Sequence, residues 1–420
     1  MNNNNITSRE RVRLALEHKE ADRVPIDFGA MRSTGISTIA YNNLRKKLGI
    51  NKGLARMYDF IQQLAYPEKE VRDIFHVDVI DAGQAFLTED KYWRKWELND
   101  GSLCQIPKYL NFEIDKEGTV FLKNSNGVIV GKKPKTSLYV DQTYWPFFEL
   151  PAIPEEIDTK KFNDVLWAVP SPPWYLDIFD DEQYEVFIET IKQLHDETDY
   201  SIMLAVGCNL FEMGTWLRRF DNFLSDIILD KKGVARLLDE LIEGYLKTLE
   251  RVLNGVKDYV DLLQFGDDLG SQQGPFIPPK IFEEVFMPRY KIMWDYVHKT
   301  SNCKVFLHSC GSIYELIPFL IEAGLDVLNP VQTTTRNMEA EKLKKEFGKD
   351  ITFWGGGVNT RDVLPSKTPA EVKEDVKKRI EIFGKGGGYV FNSIHNVMAD
   401  VPPENVIAMF EAAYEFGRYQ

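Results

Sequence analysis

A histidine and a cysteine two residues apart, His308-Ser309-Cys310, form the pair in this 420-residue sequence whose types and spacing most directly suggest chemistry. In an extended segment residues i and i+2 point to the same side, so an imidazole and a thiol would share one small volume. Zinc favours such donors, and a catalytic zinc needs three protein ligands and an open position for substrate. The third ligand must come from another part of the chain, and His395, which follows a short apolar run and precedes Asn396, is placed to supply it. A His-x-Cys also arises by chance, and buried histidines are often simply hydrogen-bonded structural residues. The adjacent Asp267 and Asp268 add a second feature. Burial and a like-charged neighbour raise a carboxyl's pKa, which suits it to protonate a leaving oxygen or to complete a metal site.

The elements that must position these groups follow from the hydrophobic pattern. Short apolar runs occupy residues 24–28, 77–81, 202–206, 260–265, 304–307, 326–328, 352–354 and 389–391, and from residue 200 onward they alternate with longer amphipathic stretches. Alternation of this kind marks successive βα units. Eight strands with right-handed crossovers close into a barrel, so the expected fold is α/β, a (β/α)8 barrel forming one domain over 1–420. An open doubly wound sheet is the alternative. Barrel enzymes carry their catalytic groups just after the strand C-termini. Asp27, Asp81, Cys208, Asp267, Asp268, His308, Cys310, Asn329 and His395 all fall there. Asp81, Asp267 and Asp268 are the expected proton-transfer residues, and Met31, Arg32, Cys208, Gln272, Asn329, Trp354 and Asn396 the expected substrate contacts, with Trp354 either walling the pocket or filling the core.

Around this frame, Thr7 or Ser8 should cap a first helix over 8–18, and helices are expected through Arg45 and over 61–75. Between 91 and 141 the turn signals Asn99-Asp100-Gly101, Lys116-Glu117-Gly118 and Asn126-Gly127 predict an inserted β-meander, which could then be shortened without unfolding the barrel. Residues 145–174, rich in proline and aromatics, predict an irregular connection or lid. The Gly355-Gly356-Gly357 run would let backbone approach a ligand, whereas Gly386-Gly387-Gly388 reads as a tight turn. His18, His76, His195, His298, Cys104 and Cys303 read as structural.

Composition narrows the function. With 51 basic against 64 acidic residues and a net charge of -13, the chain lacks the cationic surface that nucleic acid requires. No apolar run is long enough to span a membrane, the Met1–Asn5 start lacks the apolar core of a leader, and four scattered cysteines do not form a disulfide framework. A cytoplasmic enzyme acting on a small molecule is expected.

Three segments carry a family resemblance: Arg23-Val24-Pro25-Ile26 followed by Met31-Arg32; Phe265-Gly266-Asp267-Asp268-Leu269-Gly270 running into Ile277-Pro278-Pro279 and Met287-Pro288-Arg289-Tyr290; and Pro402-Pro403-Glu404-Asn405-Val406. On these the chain resembles the uroporphyrinogen decarboxylase superfamily, which implies a (β/α)8 barrel. One branch contains decarboxylases that need no cofactor. Another contains corrinoid-linked methyltransferases, whose zinc is held by a His-x-Cys motif and a later cysteine. His308-Ser309-Cys310-Gly311 resembles the methyltransferase motif, but His395 stands where the later cysteine would be, so the third ligand is either His395 or an aspartate. Met31-Arg32 continues as Ser33-Thr34-Gly35 where the decarboxylases read Met-Arg-Gln-Ala-Gly, so the tetrapyrrole-carboxylate site is only partly kept. The resemblance implies zinc-dependent methyl transfer between a small substrate and a corrinoid carried by a partner protein. A set with one thiolate leaves the metal electrophilic, which favours demethylation of a methoxylated compound. The rivals are a tetrapyrrole decarboxylase, with Asp81 or the aspartate pair stabilising a protonated pyrrole and Arg32 binding acetates, and a non-catalytic corrinoid or tetrapyrrole binder.

Overall fold

Thr7 caps the first helix, Ser8–Leu16, in a reciprocal capping box: its hydroxyl accepts from the Glu10 N–H at 3.2 Å, and the Glu10 carboxylate accepts from the Thr7 N–H at 2.8 Å. The structure, a computed structural model, describes residues 6–419, so the Met1–Asn5 segment read above for a leader lies outside the described residues. The apolar stripe Val12, Ala15 and Leu16 is buried among Val79, Met203, Leu262, Phe306, Val327, Trp354 and Val390, one residue from each of seven barrel strands. Ser8 and Arg13 also reach Asp78 and Asp261, which precede strands, so the helix closes the N-terminal end of the barrel.

Those seven strands, Val79–Asp81, Ser201–Gly207, Leu262–Gly266, Lys304–His308, Val327–Asn329, Thr352–Trp354 and Tyr389–Val390, are parallel and pair in chain order. An extended segment around Ile26 closes the ring. Ile26 bridges Phe391 in parallel, the Asp27 N–H donates to the Phe391 carbonyl at 2.9 Å, and the Ile26 carbonyl accepts from the Asp78 N–H at 2.7 Å. This segment is a bridge rather than a full ladder, consistent with Pro25, which has no N–H to contribute. The sequence-derived barrel is therefore observed. Intervening helices such as Lys231–Val256, with Leu237, Leu238, Leu241, Leu249, Val252 and Leu253 buried, cover the outer face of the strands.

The meander is present as a hairpin of Trp93–Glu97 with Leu103–Pro107 and a four-stranded antiparallel sheet of Asn111–Ile114, Val120–Lys123, Ile129–Lys133 and Asp141–Gln142. Gly101, Gly118 and Gly127 take positive φ at its turns, as their positions in the sequence imply. Its strands lie outside the parallel barrel sheet, and its buried Cys104, Ile106, Val120, Leu122 and Val130 belong to the main hydrophobic core. A further sheet of Ile36–Ser37, Leu64–Ala65 and Met57–Asp59 replaces the front of the helix expected over 61–75, of which Lys69–Ile74 remains. Strands of two or three residues are too short to register a period of two in sequence.

Candidate metal centre and active-site cavity

His308 ends its strand and pairs in register with Asn329, which ends the next. That register sets the chemistry of the imidazole. The Asn329 amide nitrogen donates to the Trp354 carbonyl at 2.9 Å, which turns its oxygen toward His308 Nδ1 at 2.6 Å. Nδ1 must therefore donate to that oxygen, which leaves Nε2 as the nitrogen turned toward Cys310 and Asp268. Around Nε2 lie Cys310 Sγ at 3.3 Å, Ser33 Oγ at 3.2 Å and Asp268 Oδ1 at 3.5 Å.

Two glycines bring the following loop into position. Gly311 has φ +86°, and a Cβ there would lie 2.1 Å from the Gly270 carbonyl oxygen; at Gly270 it would lie 2.8 Å from the Cys310 carbonyl oxygen. Only glycines allow these two backbones to touch, and the contact sets Asp268 against Cys310, whose N–H donates to Asp268 Oδ1 at 2.8 Å. His395 approaches from the loop after the last strand, its ring 5.7 Å from that of His308. One ligand atom each from His308, Cys310 and His395 lies within 4.8 Å of the others. Burial and the neighbouring His308 push the His395 imidazole down to about 4, so it is neutral and able to donate a lone pair. Burial, together with Asp268 and Glu212, pushes the Cys310 thiol well up; a bound cation would reverse this and stabilise the thiolate. The donor types, the orientation of Nε2 and the spacing fit a tetrahedral metal.

His308 and His395, with Asp268, form part of the wall of a cavity of about 400 Å³ at the C-terminal mouth. Met31, Arg32 and Asp81 line it, and so do residues 167–172 and Trp174 of the irregular connection. Arg32 is anchored: its guanidinium meets Asp59 at 2.5 Å and donates to Ser171 Oγ at 3.0 Å. Burial pushes the Asp81 carboxyl up to about 7, against the pull of the Gly83 N–H and the Tyr66 hydroxyl.

Other expected site residues lie elsewhere. Asp267 is wholly buried and points away from the cavity, accepting from the Leu210, Phe211 and Glu212 N–H groups and from the Tyr290 hydroxyl. It holds the start of the helix Phe211–Arg218, and its acceptors are spent. Trp354 is a core aromatic inside the barrel, donating to Asp27 at 2.8 Å. Asn329 is fully buried against His308 and lies outside the cavity wall. Cys208, with φ +52°, turns its thiol to the Val206 carbonyl; Gln272 lies outside the cavity wall; and Asn396 accepts from the Gly35 N–H and donates to Gln62. The Gly355–Gly357 backbone packs against Pro330 and Asn392, not toward a ligand.

Glu212 was missed by sequence reading. It lines the cavity, accepts from Asn209 Nδ2 at 2.7 Å, and its carboxyl is pushed well up by burial and by Asp268 and Asp267. In sequence it reads as an acid in the first turn of a helix, where a carboxylate is ordinary, and nothing local marks it as functional. Tyr58, Trp167, Trp174 and Trp216, also in the wall, likewise read only as aromatics.

A family model described as uroporphyrinogen decarboxylase matches residues 174–416. Among curated proteins, the chain is 33% identical over 97 residues to the uroporphyrinogen decarboxylase of Methylococcus capsulatus, a match covering 23% of this chain and 26% of that protein. It is 25% identical over 214 residues to that of Legionella pneumophila (strain Corby), covering 50% of this chain and 56% of that protein. The matches thus span about half or less of the length of these relatives. In fold, the chain resembles a methyltransferase from Methanosarcina mazei, with a TM-score of 0.57 at 16% identity, over 98% of this chain and 99% of that one.

Proposed function

Because the chain belongs to the uroporphyrinogen decarboxylase family, we propose that it is a zinc-dependent methyltransferase of the cytoplasm, moving a methyl group from a methoxylated small molecule to a corrinoid carried by a partner protein. The convergence of His308, Cys310 and His395 within 4.8 Å beside the cavity is the observation that carries this reading. When bound, zinc supplies Lewis acidity toward the ether oxygen, stronger with one thiolate and two imidazoles than with a thiolate-rich set.

The chain's own residues do the rest. Asn329 fixes the His308 tautomer, and Asp268 holds the Cys310 backbone through its N–H. As the O–CH3 bond breaks, the methyl leaves as a cation equivalent to the corrinoid acceptor and the electron pair stays on oxygen. The proton that completes the alcohol comes from Glu212, with Asp268 beside it to relay replacement from solvent. Trp167, Trp174 and Trp216 exclude water around the ether. Met31, Arg32 and Asp81 contact the remainder of the substrate.

A tetrapyrrole decarboxylase is the second reading, favoured by Arg32 and Asp81 facing one cavity. The Asp59 carboxylate against Arg32 weighs against it, since the paired guanidinium offers little net charge to a substrate acetate. The polar wall also weighs against a passive corrinoid or tetrapyrrole binder.

Purification without chelators should yield one zinc per chain. Cys310→Ala and His395→Ala should each lose zinc and methylation of cob(I)alamin by methoxylated compounds while keeping a cooperative melt, and Cys303→Ala should keep all three. Normal zinc in His395→Ala together with loss in Asp268→Ala would move the third ligand to the aspartate. Carbon dioxide release from uroporphyrinogen, without methyl transfer, would replace this reading with the decarboxylase.

A further inference from the structure

A second cavity, of about 500 Å³, opens between the hairpin of the insertion and the segments that precede it, and it shares no lining residue with the cavity beside the metal centre. Its volume suits a small molecule. Three places build its wall: the turn at Lys52 and Gly53 beyond the helix Thr38–Lys47, the stretch from Tyr66 to Arg72, and the hairpin strands at Trp93, Lys95 and Gln105. Phe86, Leu87 and Trp93 are buried and give it an apolar floor. The two cavities meet where Tyr66, in the wall of this one, stacks on Tyr58, in the wall of the other, with ring centroids 3.9 Å apart.

The charges around this cavity are of one sign. Four cations line it, Lys52, Arg56, Arg72 and Lys95, against two acids, Glu68 and Asp90. Both acids are already matched: Glu68 by Arg45, which lies outside the cavity wall, at 3.0 Å, and Asp90 by Arg56 at 2.8 Å. Among the described residues Lys52, Arg72 and Lys95 make no ion pair, so three positive charges are left uncompensated in one concave wall of a chain whose net charge is -13. Like charges gathered in a cleft repel one another and focus their field on whatever enters it, which favours an anion.

The guanidinium groups are also held in place. Arg72 Nη1 donates to the Pro67 carbonyl at 2.6 Å and to Gln84 Oε1 at 2.5 Å, and the group lies 5.4 Å from the Tyr200 ring. Arg56 donates to the Thr88 carbonyl at 2.7 Å and stands 5.2 Å from the Trp93 ring. The Lys52 carbonyl accepts from Arg45, which ties down the turn. Groups fixed before binding lose less freedom when a ligand arrives.

We propose that this cavity is a second ligand site, for a small organic anion with at least two negative charges and a flat body. The charges meet Lys52, Arg72 and Lys95, and the body rests on the apolar floor beside Trp93. Phosphate esters and polycarboxylates share this chemistry. The site is separate from the metal centre and does not depend on the methyltransferase reading.

Full-length zinc-loaded protein is titrated by calorimetry with adenosine monophosphate, with benzenetricarboxylate and with uncharged adenosine. At least one anion should bind about tenfold or more tightly than adenosine, and its affinity should fall as salt is raised. Lys52→Ala/Lys95→Ala should weaken that binding about tenfold or more, with zinc content and melting temperature unchanged, because both side chains are exposed. Lys116→Ala/Lys135→Ala makes the same change of charge outside the cavity and should bind as the wild type does. Which anion binds distinguishes the phosphate ester from the polycarboxylate. Three results would each overturn the site: no preference for an anion over adenosine, unchanged binding in Lys52→Ala/Lys95→Ala, which would place the anion at the zinc, or equal weakening in Lys116→Ala/Lys135→Ala, which would reduce the effect to general charge.

Discussion

His308 is made ready for a metal by a residue that never touches one. Without the Asn329 oxygen at Nδ1, the ring can protonate Nε2 instead and lose its ligand orientation. Asn329→Ala should therefore weaken zinc binding about 10- to 100-fold with the fold retained, measured by competition with a chromogenic chelator. Asp27 offers a test of a different kind. It is wholly buried, and burial pushes its carboxyl from 3.8 up to about 7 against the Trp354 and Ala30 donors. Because the folded state holds that proton where the unfolded chain has released it, stability should fall as pH rises from about 4 to about 7, by roughly 4 kcal/mol for this group. Asp27→Asn loses one acceptor, a fixed cost, but should remove this part of the slope. Melting temperatures of both proteins between pH 5 and pH 8 check the difference in slope; parallel curves would show that Asp27 is ionised in the fold.

At the scale of elements, the starts of the barrel strands repeat one device. Asp78, Asp261 and Asp326 each accept from the backbone N–H of a neighbouring strand, at Ile26, Ile202 and Val305. Asp78 carries the most: it also accepts from Arg11, Arg23 and Ser8, and it is fully buried at the seam where the ring closes. Asp78→Ala leaves two buried guanidinium groups short of a counter-charge, and about 3–5 kcal/mol should be lost in urea unfolding. The seam should open first, seen as faster amide exchange at Asp27 and Phe391 than at Leu263. These acids were legible only as charges flanking apolar runs. Their roles depend on strand neighbours set by the parallel register.

For the whole molecule, the insertion and the barrel share one core, with Cys104, Ile106, Leu122 and Val130 buried in it. Shortening residues 91–141 should thus cost soluble protein rather than leave the barrel intact, checked by expression and melting of the deletion variant. At the opposite extreme of scale, the net charge of -13 fits the absence of any basic face in the sequence, and no described helix is long and apolar enough to cross a membrane.

The sequence by itself determined the alternation of strands with amphipathic helices that a barrel needs, while the closure of the ring through Ile26 and Phe391, rather than an open sheet, was decided by the tertiary structure. The sequence also determined the His308 and Cys310 pair, whose i, i+2 spacing is a local property of extended chain, and the turns of the insertion, where glycine at positive φ is a local requirement. Only the tertiary structure decided which of two adjacent aspartates faces the cavity. Asp267 and Asp268 are equivalent in composition, but backbone direction turns one to the helix start and the other to Cys310. It likewise decided that Glu212 and Tyr58 belong to the site and that Asn329 and Trp354 stand behind it. These assignments depend on contacts across tens to hundreds of residues, set by the register between strands and by the loops that cross the mouth, and no local pattern in the chain encodes them.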